Sequence, residues 1–208
     1  MEPVPGALLT DLYQLTMIQA YLESGQTDTA VFEFFVRKLP PQRGFLMAAG
    51  LDQALAFLEN LRFSTDELDW LAKTGRFSAR LIDYLASFRF SGQVHAMPEG
   101  TLFFGSEPIL RVTAPMPEAQ LVETRLINIL HSQTLIASKA ARMVLLAPDK
   151  LLVDFGLRRR RSDGRPRQLY CRLHRDSDPS CRKSVRYSDL WHDGAFVRPV
   201  FRRRNGSL

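Results

Sequence analysis

Two adjacent arginines, Arg158 and Arg159, have the residue type and the position to bind a phosphate group. They follow an apolar segment at residues 150–155, which is predicted to form a short buried strand. A guanidinium group makes two parallel hydrogen bonds to phosphate oxygens, which a lysine cannot do. Paired arginines are also common on solvated surfaces, so this pair alone leaves both interpretations open.

Other features of the chain limit the class of protein. None of its apolar runs approaches the roughly 18 to 20 residues that span a bilayer, and residues 1–7 lack a basic region followed by an apolar stretch. We therefore expect a cytoplasmic protein with no membrane partner. Cys171 and Cys181 form no CxxC pair and lie near no set of metal-ligating histidines, so neither a disulfide framework nor a zinc site is predicted.

Hydrophobic spacing and capping residues predict an α+β fold for residues 1–116. Thr10 is the predicted N-cap of an amphipathic helix over residues 12–21 that stops at Gly25. Ser64 followed by Glu67 is a capping-box pattern. The remaining predicted elements are a strand at 30–39, helices at 50–63, 64–71 and 79–88, and two or three short antiparallel strands at 92–115.

A long helical stretch from Pro117 to Ala147 precedes the strand predicted at 150–155. This order is typical of the start of an α/β barrel, whose active site lies at the C-terminal ends of the strands, where Arg158 and Arg159 would stand. We therefore predict three regions. They are an N-terminal α+β domain at 1–116, the long helix and first strand of a truncated barrel at 117–159, and a basic tail at 160–208.

The basic charge of the chain lies entirely in that tail. The net charge is +6 and the pI about 9.7, which would ordinarily point to a nucleic-acid partner. Residues 1–159 hold 15 Lys and Arg against 17 Asp and Glu, whereas residues 160–208 hold 13 against 5. The tail has no Glu and few apolar residues at a helical or strand period, so we expect it to be disordered.

Several segments of the first 159 residues resemble nicotinate phosphoribosyltransferases in their order and spacing. The segments are residues 8–14 (LLTDLYQ), 32–38 (FEFFVRK), 48–51 (AAGL), 98–100 (PEG), 123–124 (ET), 139–142 (KAAR) and 155–159 (FGLRR). Together they extend over nearly all of residues 8–159, and the combination is specific to that family.

The resemblance implies a type II phosphoribosyltransferase, in which an N-terminal α+β domain packs on an incomplete α/β barrel. Such an enzyme joins nicotinate to phosphoribosyl pyrophosphate in the salvage route of NAD biosynthesis, as a glycosyltransferase or ligase. The resemblance also implies ATP as a co-substrate, Mg²⁺ as its ion, and a homodimer with a shared active site. No prosthetic group and no specific nucleic acid are implied.

The resemblance assigns roles to three substrate-binding residues. Tyr13 matches the family's N-terminal nicotinate-contacting tyrosine, and Arg158 and Arg159 match arginines that face substrate phosphates or carboxylate. His95 and His131 fall outside the matched motifs, so a structural or surface role is expected for both.

The tail departs from the family in a way that can be decoded. The family's phosphorylatable histidine belongs in a segment similar to Gly-Thr-Met-Ala-His-Ser-Phe, which is absent here, so no catalytic residue is predicted. If each tail codon is read from its second base, Trp191 to Val197 become that missing segment. Synonymous codons leave choices elsewhere, but Trp191 has a single codon and leaves none.

The same shifted frame turns Arg182 to Ser188 into Gly-Lys-Ala-Phe-Gly-Ile-Pro and extends back to Tyr170. We therefore predict that the frame slips between Arg158 and Ser162, and that the tail is the same gene translated out of frame. A chain without the histidine and most of the barrel is expected to be inactive.

The sequence leaves two alternatives to this hypothesis. The Arg-rich tail could contact RNA or DNA phosphates, although no RNA-binding fold signature accompanies it. The N-terminal domain could instead be a stable, non-catalytic fragment whose exposed barrel-facing surface promotes aggregation.

Overall fold

The computed structural model describes residues 6–39 and 41–153, which form five helices and five strands. The helices are α1 (Leu12–Ser24), α2 (Leu51–Asn60), α3 (Thr65–Lys73), α4 (Ala79–Ala86) and α5 (Met116–Leu146). The strands are β1 (Thr29–Phe35), β2 (Leu46–Met47), β3 (Gln93–Ala96), β4 (Leu102–Phe103) and β5 (Pro108–Pro115). No helix in the described ranges is long and apolar enough to cross a membrane. The tail at 160–208, with its predicted disorder, lies outside the described residues.

β5 is the central strand of a three-stranded antiparallel sheet with the order β1-β5-β3. Leu110, Val112 and Ala114 of β5 face the core, whereas Arg111 is exposed, so one face of the sheet is covered and the other open. The short antiparallel strands predicted at 92–115 are confirmed. They do not form one sheet of their own, however, because β1 pairs with β5 and β2 pairs with β4.

The main hydrophobic core lies between this sheet, α1, α4 and the first half of α5. Ile18, Leu85 and Val122 are fully buried there. Burial of each such side chain contributes roughly 1.5 to 3 kcal/mol relative to exposure. A smaller cluster around Phe103 joins β2, β4 and the start of β5.

The environment of α5 changes along its length. Leu121 and Leu126 lie in the same core as α1, whereas Leu145 and Leu146 are 70% and 87% exposed. The first half of α5 is therefore continuous with the preceding fold. The domain division at residue 116 stays a prediction.

The helix termini confirm most of the capping residues expected from the sequence. Ser64 and Glu67 form the predicted capping box of α3, and Gly25 ends α1 with a φ of 73°. The N-cap prediction for α1 is wrong by one residue, because Asp11 rather than Thr10 takes that position. The Asp11 carboxylate does not cap the helix, since it accepts a hydrogen bond from Thr124 Oγ1 at 3.0 Å.

The predicted start of an α/β barrel is not seen in the described residues. Residues 150–153 form no strand, and the rest of that predicted strand, together with Arg158 and Arg159, lies outside the described residues. A barrel strand is stabilised by hydrogen bonds to a neighbouring strand. The two sheets formed within residues 6–39 and 41–153 contain no partner for it.

Candidate functional site

Tyr13 stands in the first turn of α1 with its side chain 49% exposed. Its hydroxyl oxygen accepts a hydrogen bond from Gln14 Nε2 at 2.9 Å, and the hydroxyl donates to Glu123 Oε2 at 3.5 Å. The aromatic ring therefore faces outward while its polar end is held by the protein. An exposed ring with a tethered hydroxyl is suited to a flat ligand that carries a hydrogen-bond acceptor.

Gln14, the next residue, is fully buried between α1 and α5. Its Nε2 donates to Glu123 Oε2 at 3.1 Å and to Thr124 Oγ1 at 2.8 Å, as well as to the hydroxyl of Tyr13. Its Oε1 accepts a hydrogen bond from Gln120 Nε2. We call this set the Gln14 network; its members are Asp11, Tyr13, Gln14, Gln120, Glu123 and Thr124.

The local sequence explains why a glutamine is buried at this crossing. Gln14 shares the inward face of α1 with Leu15 and Ile18, and that face packs against the first half of α5. A buried amide without partners would cost about 1 to 3 kcal/mol. Gln120, one turn before Glu123 and Thr124 on α5, supplies the remaining partner.

Two of the family-like segments, residues 48–51 and 98–100, are hydrogen-bonded to each other. The Glu99 carboxylate accepts hydrogen bonds from the backbone N–H groups of Gly50 at 2.8 Å and Leu51 at 2.7 Å, at the start of α2. A carboxylate there also complements the helix dipole. Gly50 has a φ of 105°, and a Cβ atom on it would lie 3.0 Å from Gln133, so glycine is required at this close approach to α5.

Arg142, in the segment at 139–142, also has a structural role. It donates hydrogen bonds to the carbonyl oxygens of Phe45 at 2.8 Å and Ser138 at 2.7 Å. Its guanidinium carbon stands 5.3 Å from the centre of the Phe45 ring. These contacts tie the segment before β2 to α5. Lys139, in the same segment, is exposed.

Both described histidines lie on the surface. His95 is on the open face of the sheet, where it is paired in register with Arg111, and His131 is exposed on α5. Arg111 is bound to Glu33, with its Nε 2.7 Å from Glu33 Oε1. Neither histidine belongs to the Gln14 network.

Glu118 is a buried carboxylate that sequence reasoning did not single out. Ser91 donates to it twice, from its backbone N–H at 2.6 Å and from Oγ at 2.8 Å. Burial raises the pKa of Glu118 above its ordinary value, while the two Ser91 hydrogen bonds oppose that rise. Burial and, to a smaller extent, the Glu118 charge raise the pKa of Tyr84.

The structure thus describes one of the three predicted substrate-binding residues, Tyr13, and adds residues that the sequence did not reveal. Arg158 and Arg159 lie outside the described residues, so their relation to Tyr13 stays a prediction. Gln14 and Gln120 were missed, although each is a polar residue at an inward position of an amphipathic helix. That mismatch between residue type and helical face is the signal that could have found them.

Comparisons with known proteins agree with the family resemblance of the sequence. The profile of the nicotinate phosphoribosyltransferase (NAPRTase) N-terminal domain matches residues 8–131. The nicotinate phosphoribosyltransferase pncB2 of Mycobacterium tuberculosis is 51% identical over 154 residues, which take in 74% of this chain and 33% of that protein. The nicotinate phosphoribosyltransferase of Bacillus subtilis is 44% identical over 154 residues, or 74% of this chain and 31% of that protein.

Solved structures also match this chain. Human nicotinic acid phosphoribosyltransferase matches with a TM-score of 0.66 at 36% identity, over 76% of this chain and 32% of the human chain. A nicotinate-nucleotide pyrophosphorylase from Pyrococcus furiosus shares the fold, with a TM-score of 0.56 at 21% identity over 74% of this chain and 32% of its own. The chain spans about a third of the length of these relatives. On the profile match and the sequence identities together, it belongs to the nicotinate phosphoribosyltransferase family.

Proposed function

We propose that the gene behind this chain encodes an enzyme that joins nicotinate to phosphoribosyl pyrophosphate, forming nicotinate mononucleotide and releasing pyrophosphate. The observation that carries this proposal is the 51% identity to a nicotinate phosphoribosyltransferase over 74% of the chain. The product would enter NAD biosynthesis by the salvage route. The proposed reaction is coupled to ATP hydrolysis, so the enzyme has both glycosyltransferase and ligase character.

In the proposed reaction, the sugar carbon loses pyrophosphate through an oxocarbenium-like state while the pyridine nitrogen forms the new bond. The protein mainly positions the two reactants and neutralises phosphate charge. Tyr13 is the proposed contact for the pyridine ring, because its ring is exposed and its hydroxyl is held by Gln14. Arg158 and Arg159 are the proposed contacts for substrate phosphates or carboxylate.

ATP and Mg²⁺ remain part of the proposal through family membership alone. Within residues 6–39 and 41–153, no three His, Cys, Asp or Glu side chains are grouped so that they could hold a metal ion. No protein ligands are therefore assigned to the ion, and no step is assigned to it.

The proposed intact enzyme is a cytoplasmic homodimer with an active site shared between the two copies. What supports this is the apolar surface around Tyr13. Leu9, Leu12 and Met17, which lie within four residues of Tyr13 along the chain, are 53%, 55% and 39% exposed. Exposed apolar side chains next to a binding residue are typical of protein contact surfaces.

In this proposal, the 208-residue chain is inactive because the reading frame slips between the codons for Arg158 and Ser162. The alignments with relatives support this, since they take in about three quarters of the chain, which is the share that precedes the basic tail. The restored frame supplies the histidine segment that the printed tail lacks. This accounts for the tail without a nucleic-acid partner, which no comparison favours.

The test starts with resequencing of the DNA across the codons for Arg158 to Ser162. The frame is then restored there, and the resulting protein, called the frame-restored enzyme, is incubated with nicotinate and phosphoribosyl pyrophosphate, with and without ATP. We expect ATP-stimulated formation of nicotinate mononucleotide, measured by chromatography, and no product from the printed chain.

A matched control carries asparagine in place of the histidine in the restored Gly-Thr-Met-Ala-His-Ser-Phe segment, and should lose the stimulation by ATP. A frame-restored enzyme that forms no product would contradict the proposed function. Product formation by the printed chain would contradict its inactivity. Tail peptides detected by mass spectrometry would show that the shifted frame is translated rather than a sequencing error.

A further inference from the structure

A series of hydrogen bonds leads in one direction from Tyr21 into the Gln14 network, through Gln120 and Gln14 to Tyr13. Tyr21 Oη donates to Gln120 Oε1 at 3.4 Å, and Gln120 Nε2 donates in turn to Gln14 Oε1. Because the oxygen of the Gln14 amide is thus occupied, its nitrogen must point toward Tyr13. Each amide in the series is oriented by the group before it.

This direction decides what the Tyr13 hydroxyl can do. Its oxygen receives a hydrogen from Gln14 Nε2 at 2.9 Å, so its own hydrogen is left for another acceptor. The resting acceptor is Glu123 Oε2, at the long distance of 3.5 Å. A bond of that length is weak and is readily replaced by a shorter bond to a ligand oxygen.

Glu123 does not depend on the hydrogen from Tyr13. Its Oε2 accepts a shorter hydrogen bond from Gln120 Nε2 at 3.0 Å, and it lies 3.1 Å from Gln14 Nε2, whose two hydrogens are shared among three acceptors. If the Tyr13 hydroxyl turned toward a ligand, the carboxylate would remain bonded. The exchange therefore leaves no buried group unpaired, which is the main cost of breaking a hydrogen bond inside a protein.

From this geometry we propose that Gln14 is a positioning residue, which keeps the Tyr13 hydroxyl as a hydrogen-bond donor that can turn from Glu123 to a ligand on the open side of the site. The group it presents this donor to is an acceptor edge such as the carboxylate of a pyridine acid. Gln14 itself, being fully buried, touches no ligand. This inference rests on the proposed function, since it assumes that Tyr13 contacts nicotinate.

The test uses Gln14→Glu, which keeps the shape of the side chain but replaces the donor by a carboxylate. The Tyr13 hydroxyl should then donate its hydrogen to the new carboxylate instead of to a ligand. Gln14→Met, of similar length and without hydrogen-bonding groups, serves as a second variant in case the added charge prevents folding. Gln26→Glu is the matched control, because Gln26 is exposed and outside the network.

In the frame-restored enzyme, we expect Gln14→Glu and Gln14→Met to raise the KM for nicotinate about tenfold, with the KM for phosphoribosyl pyrophosphate unchanged. Tyr13→Phe should produce a similar rise. The decisive measurement is the double variant, which should be no worse than Tyr13→Phe alone if Gln14 acts through Tyr13. Additive effects would overturn the inference, because a purely structural role persists without the hydroxyl.

In the 208-residue chain, the hydrogen bond from Gln14 to Tyr13 is measured directly from the ¹³C resonance of the tyrosine Cζ atoms. The Tyr13 signal is assigned by its loss in Tyr13→Phe. Gln14→Glu and Gln14→Met should shift that signal and Gln26→Glu should not; a signal that stays in place would overturn the inference. This readout is independent of activity. An inactive frame-restored enzyme together with a shifted signal would refute the proposed function while leaving the hydrogen-bond direction established.

Discussion

The body of α5 and its C-terminal end lie in different environments although they belong to one continuous helix. Buried residues continue along α5 as far as Ser138, and Gln120 and Glu123 are hydrogen-bonded to Gln14 of α1, whereas Leu145 and Leu146 at the end of the helix are exposed. The match to the family's N-terminal domain ends at residue 131, near the middle of this helix. The part of α5 up to Ser138 is therefore packed against the rest of the fold, while the end of α5 presents apolar surface that nothing among the described residues covers.

The largest expected effect comes from matched leucine substitutions in these two parts of the helix. Leu126→Ala removes a side chain that is 3% exposed and should lower the free energy of unfolding by about 2 to 5 kcal/mol. Leu146→Ala, at 87% exposure, should change it by less than about 0.5 kcal/mol. Urea unfolding of both variants measures the difference. Equal losses would mean that the end of α5 is also packed, and the comparison between the two parts of the helix would be wrong.

Ser138 marks the last buried position of the helix, and its substitution locates the boundary between the packed part of α5 and its exposed end. Its Oγ accepts a hydrogen bond from Met47 N at 2.8 Å and donates to the Thr134 carbonyl at 2.6 Å. Ser138→Ala leaves the backbone N–H of β2 without this partner, so we expect a loss of about 1 to 3 kcal/mol in urea unfolding.

Ser132→Ala is the control for Ser138, because Ser132 is exposed and bonds only within its own helix, to the carbonyl of Ile129. Ser132→Ala should have little effect on the free energy of unfolding. If Ser138→Ala were equally silent, β2 would not depend on α5 and the boundary would have to be placed earlier in the helix.

A smaller, pH-dependent effect is expected from Glu118 at the start of α5. Because burial raises its pKa in the folded protein above the ordinary value of 4.5, the folded protein holds the proton more tightly than the unfolded chain. The free energy of unfolding should therefore fall as the pH rises from about 4.5 through the raised pKa. Glu118→Gln keeps an acceptor for the Ser91 N–H but cannot ionise.

The measurement for Glu118 is the free energy of unfolding of both proteins at several pH values between about 4 and 8, a range whose lower end includes the ordinary carboxyl titration. The variant should gain stability relative to the parent as the pH rises. Glu23→Gln, on the exposed side of α1, is the matched surface control. A gain in the opposite direction would show that the Ser91 hydrogen bonds outweigh burial.

Interactions between residues close in sequence were the most predictable part of the fold. The capping box joins Ser64 to Glu67, and Gly25 adopts the left-handed conformation that ends α1, so both could be recognised from adjacent residues. The strand pairings were less accessible, because β1 reaches β5 from far away in the chain. The Thr10 prediction failed by one residue because Thr10 and Asp11 are both good N-cap residues, which residue type alone does not separate.

The sequence by itself determined the family, the order of the five described helices, and Tyr13 as a candidate binding residue. These depend on residue types and short spacings, which can be read directly from the sequence. Only the tertiary structure decided how Tyr13 is held, through Gln14 and through partners on α5 about 110 residues away. It likewise decided that Glu99 stabilises the start of α2. The physical reason is that a buried polar group must find its hydrogen-bond partner in space, and spacing along the chain does not reveal which distant residue folding brings within reach.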